Sequence, residues 1–231
     1  MSSLPAGPVA VAFCPCPPLL LPAVAGRAAE DTAALRAACA TAVGTLLAAG
    51  ADTVVVVGPD AEGHHGPGDV GDLRGFGVDL EVPLSGPVRP GGRRLPLSLT
   101  VGAALLDAAG HTGPRVGAAP GELAGAVDEV SGPVAVLAMG DGSARRSLKA
   151  PGYLDEAAAP FDAAVAAALA AGDAAALAVL DPAEGARLLA AGVPVWRAVG
   201  ALLRGREVTA ELLADEAPYG VGYLVAAWTT R

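Results

Sequence analysis

Four short segments hold most of the side chains in this chain that have chemistry to offer. The first is Phe13-Cys14-Pro15-Cys16-Pro17-Pro18. Proline fixes φ and lacks an N–H, so the chain must leave a strand abruptly at Pro15 and hold Cys16 in a rigid, non-helical turn. A thiol in such a turn reads in three ways: a small buried residue, a metal ligand, or a nucleophile whose pKa a nearby cation has lowered. The second segment is Gly58-Pro59-Asp60, where Asp60 reads as a turn or helix-capping carboxylate or as a ligand. The third, Gly140-Asp141-Gly142-Ser143-Ala144-Arg145-Arg146 with Lys149 beyond it, is the densest polar group in the chain. Arginine forks suit carboxylate or phosphate, so an anion-binding loop competes here with a solvated loop holding one structural Asp–Arg pair. The fourth is Asp215-Glu216-Ala217-Pro218-Tyr219-Gly220-Val221-Gly222-Tyr223. Its two glycines allow close backbone approach, and Tyr219 reads as a pocket wall or a packing aromatic.

Each segment adjoins an apolar run that predicts a strand. The runs are Val9–Phe13, Thr53–Val57, Val78–Val82, Val134–Met139 and Val221–Ala227. Helical patterns fall between them: Asp31–Ala49 ending at Gly50, Ser98–Ala109 ending at Gly110, then Tyr153–Ala171, Asp173–Val179, Pro182–Ala191 and Val195–Leu203. Strands alternating with helices predict a sheet covered by helices, with some parallel pairing. Ligands of open α/β sheets bind at the carboxyl ends of the strands, which is where the four segments would converge. The glycine-rich stretch Pro59–Gly77 predicts a long functional or mobile loop, with His64 and His65 solvated on it and His111 on the surface.

The order of these motifs resembles a known family. C-P-x-P-P-L-L-x-P, V-V-V-G-P-x, G-D-G-S-A and E-A-P-Y-G-V-G-Y follow one another as in the class III extradiol dioxygenase beta-subunit family. That family includes protocatechuate 4,5-dioxygenase beta subunits and the Memo-like proteins. The resemblance spans nearly the whole chain and includes Gly75-Phe76-Gly77 and Leu95-Pro96-Leu97. It implies a single LigB-like α/β/α domain with a central mixed sheet over residues 1–231. It also implies a ferrous site of two histidines and one carboxylate, and a histidine acid–base catalyst for cleaving catechol rings. The chain departs from that pattern at the histidines. The family's ligand positions fall at Cys16 and Asp60, its acid–base position falls at Ala144, and a further histidine position falls near Gly91. The carboxylate corresponds to Glu216. The resemblance therefore implies either a scaffold that has lost ring cleavage and keeps a small-molecule pocket, or an altered metal site of Cys16, Asp60 and Glu216. Thiolate softness would move such a site from ordinary Fe²⁺ ligation toward Zn²⁺ or a thiolate-tolerant iron. Alanine cannot restore general acid–base catalysis, which is typically worth about 10²–10⁴-fold. A non-catalytic interaction subunit is the third reading.

Composition narrows the partners. A net charge of −9 and 3% aromatic residues argue against nucleic acid. Mean hydropathy is high at +0.49. Nevertheless, the longest apolar stretch, Ala157–Leu180, carries Asp162 and Asp173 and reads as a soluble helix, so no membrane partner is expected. Three cysteines at irregular spacing predict no disulfide framework, and the stretch Met1–Pro8 lacks targeting features. A cytoplasmic protein with a small-molecule partner is the expectation, with homo-oligomerisation left open.

Overall fold

The computed structural model describes residues 7–231. The amino-terminal stretch that was read for targeting features therefore lies outside the described residues up to residue 6. Nine strands are described: β1 (Ala10–Cys14), β2 (Thr53–Val57), β3 (His64–His65), β4 (Val70–Asp72), β5 (Glu81–Pro83), β6 (Arg115–Ala118), β7 (Val134–Met139), β8 (Val208–Glu216) and β9 (Tyr223–Thr230). The helices are α1 (Pro22–Ala25), α2 (Ala33–Ala48), α3 (Leu97–Ala108), α4 (Leu123–Asp128), α5 (Ala158–Ala171), α6 (Ala174–Ala178), α7 (Pro182–Arg187) and α8 (Val193–Leu202). Seven strands form one mixed sheet in the order β3-β6-β2-β7-β1-β9-β8, and β4 pairs with β5 apart from it. Strands β6, β2, β7 and β1 are parallel, while β3, β9 and β8 pair antiparallel.

The central strands are apolar throughout because helices cover both faces. Alternate residues feed two cores. Ala12, Cys14, Val54, Val56, Leu137 and Met139 pack with α2 and α3. Val11, Phe13, Val55, Val57, Val136 and Ala138 pack with α4, α5, α6 and α8. The result is a three-layer α/β/α architecture. Alanine supplies much of the second layer, so helices can lie close to the sheet, and Trp228 is anchored within it. Trp228 stacks edge-on against Phe13 at 4.9 Å and donates its indole N–H to the Leu169 carbonyl at 2.8 Å.

Two expectations are corrected here. The stretch 59–77 is not a bare loop: it contributes β3 to the sheet edge and β4 to the small ribbon. Asp162 is not a solvent-facing helix charge but is fully buried. Strand β8 escaped the sequence pattern because it is an edge strand whose half-exposed residues lack an apolar run.

Candidate functional site

Because β1, β2 and β7 run parallel, their carboxyl ends lie along one sheet edge. That edge presents Cys16, Asp60 and Asp141 on the turns that follow. Strand β9 arrives antiparallel, so its first residue, Tyr223, stands at the same edge with Glu216 in register opposite it. The backbone N–H of Cys16 donates to Asp141 Oδ1 at 2.8 Å. Burial, joined by the charges of Asp141 and Asp60, pushes the Cys16 thiol well above its ordinary range. Burial likewise raises Asp141 to about 6, partly offset by its hydrogen bonds from Cys16. Tyr223 is pushed up by burial and then by the charge of Asp141. Cys16 is therefore a protonated thiol, 9% exposed, and among the described residues the charges that act on it are the carboxylates of Asp141 and Asp60. That chemistry suits a buried hydrogen-bonding residue and not a thiolate nucleophile.

Asp60 is held by the start of α3. Its carboxylate accepts from the Ser98 hydroxyl at Oδ1 and from the Ser98 N–H at Oδ2, the latter at 3.4 Å. It thus serves the orphan donors of a helix amino end from outside the helix. Gly58 makes room for the contact: a Cβ there would stand 1.8 Å from Ser98 Oγ.

The Asp141–Lys149 loop is clasped to the turn before β9. Gly142 N–H donates to the Gly222 carbonyl (2.7 Å), Gly222 N–H to Ser143 (2.9 Å) and Arg146 N–H to Gly220 (3.0 Å). Asp162 of α5 anchors the clasp by accepting from the Ser143 N–H (2.9 Å) and from Arg146 (2.8 Å). Burial raises the Asp162 carboxyl, and these two partners oppose the rise. Ser143 Oγ donates to the Leu188 carbonyl and accepts from the Arg145 N–H. Of the two readings of this loop, the structural Asp–Arg pair is present, between Arg146 and Asp162. Arg146 is neutralised by a buried carboxylate, and Ser143 is committed to backbone partners. Arg145 keeps a buried Nε without a hydrogen-bond partner, with its stem packed near Gly152. Ala144, at the family's acid–base position, serves through its carbonyl, which accepts from Gly152.

Tyr219 is 37% exposed and donates to Asp31 at 3.3 Å. The donors do not suit Fe²⁺ or Zn²⁺. Asp60 is engaged by Ser98, and Glu216 is half-buried at the end of edge strand β8. Among the described residues no group of three or more His, Cys, Asp or Glu side chains is placed to hold a metal ion.

Two clefts meet at Asp60. One, of about 600 Å³, runs between the Pro59–Asp60 turn and the α7–α8 connection. The other, of about 460 Å³, is more polar and includes His65, Asp72, Arg93 and Arg94. His65 is buried rather than solvated: β3 pairs with β6 and places its ring near Asp69 at 3.3 Å. Burial and Arg93 keep its pKa below the usual imidazole value. His111 is half-buried, with its Nε2 enclosed and unpartnered.

The sequence assigned no site role to Tyr223, Ser98 or Asp162. Asp162 had a readable signal, since it is the sole charge of an otherwise apolar helix. Ser98 had none, because its partner Asp60 lies 38 residues away in the chain.

No protein-family model matches the chain, and no curated protein matches it. Among solved structures the chain is similar to a crystal structure described as the uncharacterized protein JW3007 from Escherichia coli K12. The two share 14% identity over 96% of this chain and 99% of that chain, with a TM-score of 0.47.

Proposed function

We propose that this chain is an extradiol-dioxygenase-like (LigB-like) scaffold that has lost ferrous ring cleavage and retains a small-molecule-binding cleft at the carboxyl edge of its sheet. The observation that carries the reading is the residue set at that edge. A protonated Cys16, a Ser98-bound Asp60 and Ala144 stand where the resemblance calls for two iron-binding histidines and an acid–base histidine. An apolar cleft of about 600 Å³ opens beside Asp60, a volume within the range of small-ligand sites. The scaffold would position a ligand by shape, with no proton relay of its own to drive ring opening.

The test is anaerobic loading with Fe²⁺, followed by admission of O₂ with catechol, protocatechuate and a non-acidic alkyl catechol. The expected result is no ring-opened product and a thermal midpoint unmoved by the metal. Iron-dependent ring-opened product from any of the three would overturn the reading.

A further inference from the structure

Nine of the eleven residues lining the larger cleft carry no polar side-chain atom, so its occupant must be largely apolar. The other two are charged. Asp60 is already engaged by Ser98. Arg197 gives one nitrogen, Nη1, to the Leu180 carbonyl, and among the described residues no carboxylate pairs with it. A guanidinium has five donors in a planar fork, so this one retains donors for an anionic head group, and a carboxylate matches two of them.

The cleft wall adds an independent observation. Helix α7 ends in a Schellman turn: the Leu189 N–H donates to the Ala186 carbonyl (3.2 Å) and the Ala190 N–H to Gly185 (2.8 Å). The left-handed position of that turn is normally glycine, yet here it is Leu189 at φ 55°. A leucine in this conformation is strained, and strain of this kind persists where the surroundings or the function demand it. A packing role would bury the side chain. Instead it is 45% exposed and lines the cleft, with one methyl near Gly152. The residue after Gly152 is Tyr153, at φ 60°, the other non-glycine left-handed position among the described residues. Leu189 thus meets the glycine that precedes the second strained residue.

We infer that the cleft binds an apolar monocarboxylate. Arg197 receives the carboxylate, and Leu189 is held by its strained turn as the wall against the apolar body. The inference rests on the pocket reading above and names its ligand class.

Titrations with octanoate, octanol and octylamine, followed by calorimetry and by amide NMR shifts, test it. Saturable octanoate binding at least about 10-fold tighter than that of octanol or octylamine is expected, the increment of a charge-assisted hydrogen-bond pair. Arg197→Met should abolish that preference while still binding octanol. Leu189→Gly should weaken all three probes with the thermal midpoint unchanged to within a few degrees. Equal binding of the three probes, or an intact octanoate preference in Arg197→Met, overturns the carboxylate assignment and leaves the pocket standing. Unchanged affinities in Leu189→Gly overturn the wall assignment. Binding of none of the probes overturns the inference as a whole, and the iron assay then judges the scaffold reading separately. Should Arg197→Met fail to fold, the octanoate-to-octanol ratio of the unaltered protein and the Leu189→Gly variant still decide.

Discussion

Asp141 is a carboxyl group whose two protonation states the fold does not treat equally. Its pKa rises from the ordinary 3.8 to about 6 on folding, chiefly through burial. Between those values the native state keeps a proton that the unfolded chain has released, so stability falls as pH rises through that window and levels off above it. The difference is roughly 3 kcal/mol at neutral pH. Asp141→Asn keeps an acceptor for the Cys16 N–H and removes the charge. Urea unfolding from pH 4 to 7 should therefore show a flatter profile in the variant and a higher midpoint at pH 7. An unaltered slope would show that Asp141 is ionised at no such penalty. At this scale the sequence was a good guide to position and a poor guide to role. Prolines and glycines after apolar runs placed Cys16, Asp60 and Asp141 correctly at the sheet edge. What each one binds depends on Ser98, Tyr223 and the depth of burial, and none of these is written near it in the chain.

Among the elements, the clasp between the post-β7 loop and the turn before β9 depends on one buried carboxylate. Asp162→Ala would leave the Arg146 guanidinium and the Ser143 N–H without their partner. Breaking a buried pair from one side costs about 3–5 kcal/mol, and chemical denaturation should register a loss of that size. Gly142→Ala and Gly222→Ala should also destabilise, since their Cβ atoms would stand 2.8 Å and 2.2 Å from the Asp162 oxygens. A loss below about 1 kcal/mol in Asp162→Ala would mean that the loop holds itself. Element prediction succeeded where helices cover both sides of a strand. The runs Thr53–Val57 and Val134–Met139 match β2 and β7 residue for residue, because full burial leaves an uninterrupted apolar signature. It failed at the sheet margins. Strand β6 is four residues with a glycine inside, β3 is two histidines, and β8 alternates weakly on an exposed edge.

For the whole molecule, 24 acidic against 15 basic residues set a negative field around the chain. No retention on duplex DNA or heparin is expected at about 50 mM salt, where counterion release most favours phosphate binding. A salt-dependent shift in a DNA titration would reveal a local basic site able to overcome that field. Among the described residues no helix is long and apolar enough to cross a membrane. The three-layer architecture also fixes a relation between its two clefts. Asp60 belongs to the walls of both and is tied to the first turn of α3. A molecule that shifts this carboxylate from one side changes the shape and charge met by a molecule on the other. Thermodynamic linkage then requires the influence to run equally in both directions. A single side chain tied to the amino end of α3 is thus a wall the two cavities share.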